Sequence, residues 1–191
     1  MTLKPGDKAP AFKVNDQNGN VVSLSDLKGK KTIIYFYPKD MTPGCTAEAC
    51  NLRDNYREMQ KQGYEIFGVS TDNEKLHQKF IAKEKLPFRL LADTDRAMHD
   101  AYGTWIEKSM YGRKYMGTAR VTFVINEKGI IEDVIEKVDT KNHAAQILRQ
   151  DVKQIKPAKT VAKKAEKAVK KATKKAARKS SKPVARKSSK K

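Results

Sequence analysis

The chain has 191 residues, 38% of them hydrophobic, which is enough for one domain with an apolar core. Its formal net charge of +19 is concentrated at one end: residues 156–191 hold 16 Lys/Arg and one acid, against 25 Lys/Arg and 21 acids in the residues before them. No apolar leader follows Met1, no run approaches the ~18 apolar residues that span a bilayer, and two cysteines, Cys45 and Cys50, are too few for a secreted disulfide framework. These features predict a soluble cytoplasmic protein, in which a close cysteine pair is more often catalytic or metal-binding than structural.

Residues 11–14 and 20–24 are short extended candidates on either side of Asn18-Gly19, a dipeptide suited to a hairpin turn. Residues 32–37, Thr-Ile-Ile-Tyr-Phe-Tyr, form the continuous β-branched and aromatic run of a strand covered on both faces, ending at Pro38. From 46 to 62 the spacing of Leu52, Tyr56 and Met59 predicts a helix, with Gly63 as its stop. Residues 64–70 read as a strand, 73–85 as a helix, 88–92 as a short strand and 95–102 as a short helix. Gly103, Gly112 and Gly117 punctuate an expected loop that also carries Trp105, Tyr111 and Tyr115. A hairpin over 121–126 and 130–138 and a last helix over 142–153 complete an α/β fold, a sheet with parallel crossovers flanked by helices. Beyond Pro157 there is no aromatic residue, Leu or Ile, which predicts a folded body over 1–155 and a disordered tail over 156–191.

The segment Pro38-Lys39-Asp40-Met41-Thr42-Pro43-Gly44-Cys45 places a cysteine after a buried strand and at the first turn of a helix. Unpaired backbone N–H groups and the positive end of the helix dipole stabilise a thiolate there. Only the thiolate attacks a peroxide oxygen, and a cysteine with the ordinary pKa of ~8.5 is mostly protonated at neutral pH. Thr42 is placed to bring its hydroxyl beside the sulfur and a bound peroxide, while Pro38 and Pro43 stiffen the loop.

These residues resemble the Pro-x-x-x-Thr-x-x-Cys signature of the peroxiredoxins, and Thr-Pro-Gly-Cys-Thr-x-Glu-Ala-Cys is similar to the Q-type subfamily, the bacterioferritin comigratory proteins. The likeness covers about residues 3–148. It implies a thioredoxin-like sheet with an N-terminal extension. It also implies Cys45 as the peroxidatic cysteine, a pocket shaped by Thr42 and Pro38, and Arg120, in Thr118-Ala119-Arg120-Val121, as the arginine that steadies thiolate and peroxide. Met41 stands where the family motif often has an acid.

The same likeness implies Cys50 as the resolving cysteine. On an intact helix a five-residue offset is about 7.5 Å of rise and about 140° of rotation, so a Cys45–Cys50 disulfide requires the first helical turns to unwind. The implied cycle runs from thiolate to sulfenic acid to disulfide, reduced by thioredoxin in a monomer or weak dimer, without metal, haem or flavin.

Other readings stand beside these. The cysteines also suit core filling, Cys50 a bystander role and Arg120 an ordinary solvated strand. His77, His99 and His143 are too scattered for a metal site with the cysteines, and four residues intervene where a thioredoxin-type oxidoreductase has two. Glu48 is either a partner of Arg120 or an ordinary first-turn acid, and stays outside the expected catalytic set. Trp105 and the nearby tyrosines read as packing anchors.

The tail, with Lys163-Lys164, Lys170-Lys171, Lys174-Lys175 and Lys190-Lys191 among alanines and serines, resembles linker-histone and bacterial histone-like tails in composition. Such a run neutralises phosphates and releases counterions, which predicts nonspecific, salt-sensitive binding to DNA or RNA and association with the nucleoid. A merely solubilising tail or an anionic membrane surface are the other expectations. In a second functional class the protein is a nucleoid-binding protein whose peroxidase body is secondary.

Overall fold

A computed structural model describes residues 3–110 and 112–154; the basic tail expected over 156–191 lies outside the described residues. The chain divides into a unit of residues 1–151, which holds all the described strands, and a second unit of residues 152–191.

The N-terminal hairpin forms as expected, with β1 at Lys13–Asp16 and β2 at Val21–Ser23. Its turn is set by Asp16, whose Oδ1 accepts from the amides of Asn18 and Asn20, and by Gly19 at φ +78°. Strand β3, Lys31–Phe36, lies inside the sheet: it pairs in parallel with β4, Tyr64–Ser70, and antiparallel with β8, Val121–Ile125. Strand β5, Arg89–Ala92, adds parallel to β4, and β9, Ile131–Ile135, adds antiparallel to β8. The seven-stranded order is β2-β1-β5-β4-β3-β8-β9.

Alternation along β3 feeds two cores. Ile34 and Phe36 join Phe12, Phe67, Met98, Tyr102 and Phe123 on one side. Ile33 and Tyr35 join Leu52, Met59, Phe80, Ile147 and Cys45 on the other. The second core is roofed by helices α1 at Pro43–Asp54, α2 at Tyr56–Lys61, α3 at Glu74–Glu84 and α5 at His143–Gln154; α4 is Ala97–Ala101. Gly68 is obligatory beneath Tyr35: a Cβ there would lie 2.6 Å from both Leu90 Cδ2 and Tyr35 Oη. No described helix is long and apolar enough to cross a membrane.

Two expectations are corrected. The single helix over 46–62 begins earlier, with Thr42 as N-cap and Pro43 in the first turn, and breaks at Asn55. Asn55 Nδ2 donates to the carbonyl of Asn51 at 2.8 Å and its backbone sits at φ −101°, ψ 5°, a side chain competing with the helix for its own backbone acceptor. The expected loop over 103–117 is a two-stranded hairpin, β6 at Trp105–Met110 and β7 at Arg113–Thr118. Its residues are mostly exposed, so the ladder forms without the apolar alternation that announces a strand.

Candidate active site

The register of β3 builds the site. Phe36 pairs with Val121, so the loop that leaves β3 toward Cys45 and the residue that enters β8, Arg120, meet at the same end of the sheet. That loop is fixed from below. Tyr37 Oη donates to Asp40 Oδ1 at 2.6 Å, His77 Nδ1 lies 2.8 Å from Asp40 Oδ2, and the Asp40 amide donates to Asp72 Oδ2 at 2.7 Å. Asp40 and His77 are buried, and Met41 takes the left-handed conformation at φ +57°, an uncommon state for a non-glycine residue that the anchored loop enforces. Thr42 Oγ1 donates to the Lys39 carbonyl at 3.0 Å rather than to sulfur, which leaves its oxygen lone pairs free to accept from an O–H. Pro38 is half-buried at the loop's start.

Cys45 is the third residue of α1 and only 2% exposed, with a free thiol. Its backbone N–H is one of the four that an α-helix leaves without an intrahelical partner. Arg120 Nη2 donates to Cys45 Sγ at 3.2 Å, and its Nη1 donates to Glu48 Oε2. The guanidinium passes over Gly44, where a Cβ would stand 3.4 Å from Nη2. One planar fork therefore ties a sulfur to a carboxylate one helical turn away.

Glu48 is fully buried, and burial, opposed by Arg120, pushes its carboxyl up to about 7. Its Oε1 lies 3.7 Å from His143 Nε2 and accepts no hydrogen bond among the described residues. His143 is buried too, held by Thr122 Oγ1 at 2.8 Å, and burial pulls it down to about 4, so its imidazole is neutral near pH 7. Cys50 faces elsewhere: its Sγ donates to Glu84 Oε2 at 3.5 Å, and burial, with Glu84 assisting, raises its thiol above the ordinary value.

The AhpC/TSA family model matches residues 5–134. The putative peroxiredoxin bcp of Coxiella burnetii is 46% identical over 148 residues, covering 78% of this chain and 98% of the relative. The peroxiredoxin Bcp of Escherichia coli K12 is 46% identical over 141 residues, covering 74% and 90%. Among solved structures, the bacterioferritin comigratory protein of Xanthomonas campestris, studied for alkyl peroxide reduction, superposes with a TM-score of 0.69 at 36% identity, covering 72% of this chain and 88% of that one. The peroxidoxin BcpB of Mycobacterium tuberculosis gives 0.69 at 32% identity, covering 78% and 96%.

The chain belongs to the Q-type peroxiredoxins.

As a peroxiredoxin it is a thiol peroxidase with a thioredoxin-like fold, acting on a hydroperoxide and consuming a thiol reductant. The structure brings Cys45, Arg120 and the Pro38–Thr42 loop to one end of the sheet and turns Cys50 toward α3. Glu48, set aside in the sequence, is the buried partner of Arg120. Asp40 was given no role of its own, and His77 and His143, set aside as metal ligands, are buried beneath the loop and beside Glu48, respectively. The one signal for Glu48 was its three-residue offset from Cys45, which puts both on one helix face.

The raised Glu48 carboxyl has a consequence for stability. Between its ordinary value near 4.5 and about 7 the unfolded chain has released this proton and the folded chain still holds it, so Glu48 costs stability as pH rises through that window. Glu48→Gln removes the term. Relative to wild type, the variant therefore gains roughly 3 kcal/mol between pH 4.5 and 7, read from denaturant midpoints at the two ends. An unchanged difference across that window contradicts the buried, neutralised carboxyl.

Proposed function

We propose that this peroxidase reduces hydrogen peroxide and organic hydroperoxides to water and alcohols through Cys45, with Cys50 as resolving cysteine. The observation that carries the reading is the Arg120 guanidinium on the Cys45 sulfur in the first turn of α1. The thiolate attacks the terminal peroxide oxygen, the O–O bond breaks, and the departing alkoxide or hydroxide takes a proton, leaving Cys45 as sulfenic acid. Thr42 accepts from the peroxide O–H, Pro38 walls the pocket, and Arg120 holds the negative charge as it passes from sulfur to the leaving oxygen. Organic substrates fit the alkyl peroxide reduction for which the Xanthomonas relative was studied.

In the second step Cys50 attacks the Cys45 sulfur, water leaves, and thioredoxin or a similar dithiol reduces the disulfide. The two thiols engage different partners, so this step needs α1 to come apart. The contacts to be broken are Cys50 to Glu84, Arg53 Nη1 to the Glu84 carbonyl at 2.6 Å, and Asn51 to the Lys141 carbonyl and the Ala144 amide at 2.7 and 2.8 Å. One equivalent of peroxide is expected to give a Cys45–Cys50 disulfide by mass spectrometry and to accelerate amide exchange across residues 44–54. Unchanged exchange in the disulfide form sinks the unwinding step.

We further propose a peroxidase body over 1–155, monomeric or weakly dimeric and cytoplasmic. In this reading residues 156–191 bind nucleic acid nonspecifically and hold the body at the nucleoid. The composition of 16 Lys/Arg against one acid supports this, and it is also what favours the second reading, a nucleoid protein in which the peroxidase is secondary. The full chain is expected to bind duplex DNA at low salt and to lose about 0.9 log units of affinity per log unit of salt for each phosphate neutralised. Equal binding by the full chain and by residues 1–155 removes the tail's role.

A further inference from the structure

Lys108 on β6 stands opposite Tyr115 on β7, and its stem crosses Gly117, where a Cβ would meet Lys108 Cδ at 3.4 Å and the Tyr115 ring at 3.3 Å. The bare backbone at 117 leaves the stem a track, along which Nζ comes 2.8 Å from the Thr118 carbonyl. Thr118, two residues before Arg120, is gripped on its other side as well. Its hydroxyl lies 3.0 Å from His99 Nε2, His99 Nδ1 lies 2.6 Å from Asp93, and the next amide, Ala119, donates to the Thr104 carbonyl at 2.7 Å. Lys108 is thus a partly buried cation seated on the segment that delivers the active-site arginine.

That seat is unfavourable for an ammonium taken alone. Burial first, and then the like charge of Arg120, push Lys108 below the ordinary lysine range, while Cys45 pulls it the other way. Glu48 and the Cys45 sulfur both answer Arg120, and Cys45 is the group that draws Arg120 and Lys108 alike toward their charged forms.

We propose that Lys108 is the second positive charge of the thiol site, anchored on the Thr118 carbonyl so that it and Arg120 together favour the Cys45 thiolate. This rests on Cys45 as the peroxide-reducing thiol. Lys108 is a positioning residue: it acts through its field and through the Thr118–Arg120 segment, without touching the reacting atoms.

The test uses the reduced full-length chain with two readouts. One is the pH dependence of Cys45 alkylation by iodoacetamide, separated from Cys50 by mass spectrometry; the other is the rate of Cys45 oxidation by hydrogen peroxide. Lys108→Met and Lys108→Gln move the alkylation curve up by about half a pH unit and slow oxidation roughly three- to tenfold, and Lys108→Arg restores both. Gln keeps a neutral donor, one atom shorter, facing the Thr118 carbonyl without the charge, so a Gln variant that matches wild type shows that the charge is dispensable and overturns the proposal. An alkylation curve that stays put in both neutral variants, even with a lowered thermal midpoint, overturns it as well. Absence of peroxide oxidation in the wild type strikes the Cys45 reading instead, which separates the two.

Discussion

Arg120→Met is expected to slow the oxidation of Cys45 by peroxide by roughly 100- to 1000-fold, the cost of removing a donor aimed at developing negative charge in a buried site. The guanidinium is bonded to Cys45 Sγ at 3.2 Å and to Glu48 at once, so in the proposed mechanism its loss removes both the charge that favours the thiolate and the group that orients the peroxide. Glu48, with its carboxyl already raised to about 7, takes up a proton when Arg120 is gone, so the fold is spared an unpaired buried anion. The expected pattern is a large loss of rate with a modest loss of stability. Arg120→Lys recovers only part of the rate, because an ammonium does not span sulfur and carboxylate as the planar fork does. Stopped-flow oxidation alongside thermal unfolding separates the terms, and a rate within threefold of wild type contradicts the role given to Arg120.

The sheet was legible where burial is two-sided. Tyr64–Ser70 was read to the residue, because a central parallel strand needs apolar side chains on both faces. The hairpin over Trp105–Thr118 was not, since an exposed ladder is held by backbone hydrogen bonds that leave no mark on the side-chain pattern. The break at Asn55 was hidden for a related reason: the apolar positions Leu52, Tyr56 and Met59 keep helical spacing across it, and the interruption comes from one amide side chain.

The site was half legible. Cys45 announces itself locally, through the loop before it and the helix after it. Arg120, 75 residues away, is joined to it only by the pairing of β3 with β8, a long-range register that no local spacing encodes; the family resemblance supplied it. The environment of Glu48 was out of reach, since a first-turn glutamate looks the same in sequence whether it faces water or a buried arginine and histidine. Lys108 was equally silent, because its meaning depends on a glycine across a hairpin that the sequence did not announce.

The role given to Cys50 makes a sharp kinetic distinction. Without a resolving thiol, the first oxidation of Cys45 proceeds at the wild-type rate, but the sulfenic acid has no intramolecular partner and moves on toward the sulfinic acid when peroxide persists. Cys50→Ser therefore consumes one equivalent rapidly and then stalls, with thioredoxin-supported turnover reduced by at least roughly 100-fold. Cys45→Ser lacks the nucleophile altogether and loses both phases.

The measurement that bears most directly on the account is stopped-flow consumption of hydrogen peroxide by the reduced full-length protein with thioredoxin, comparing wild type, Cys45→Ser and Cys50→Ser. Sustained turnover in the wild type, none in Cys45→Ser and a single stalled oxidation in Cys50→Ser are the predicted results. Peroxide consumption by Cys45→Ser at the wild-type rate would contradict the assignment of Cys45 as the group that reduces peroxide.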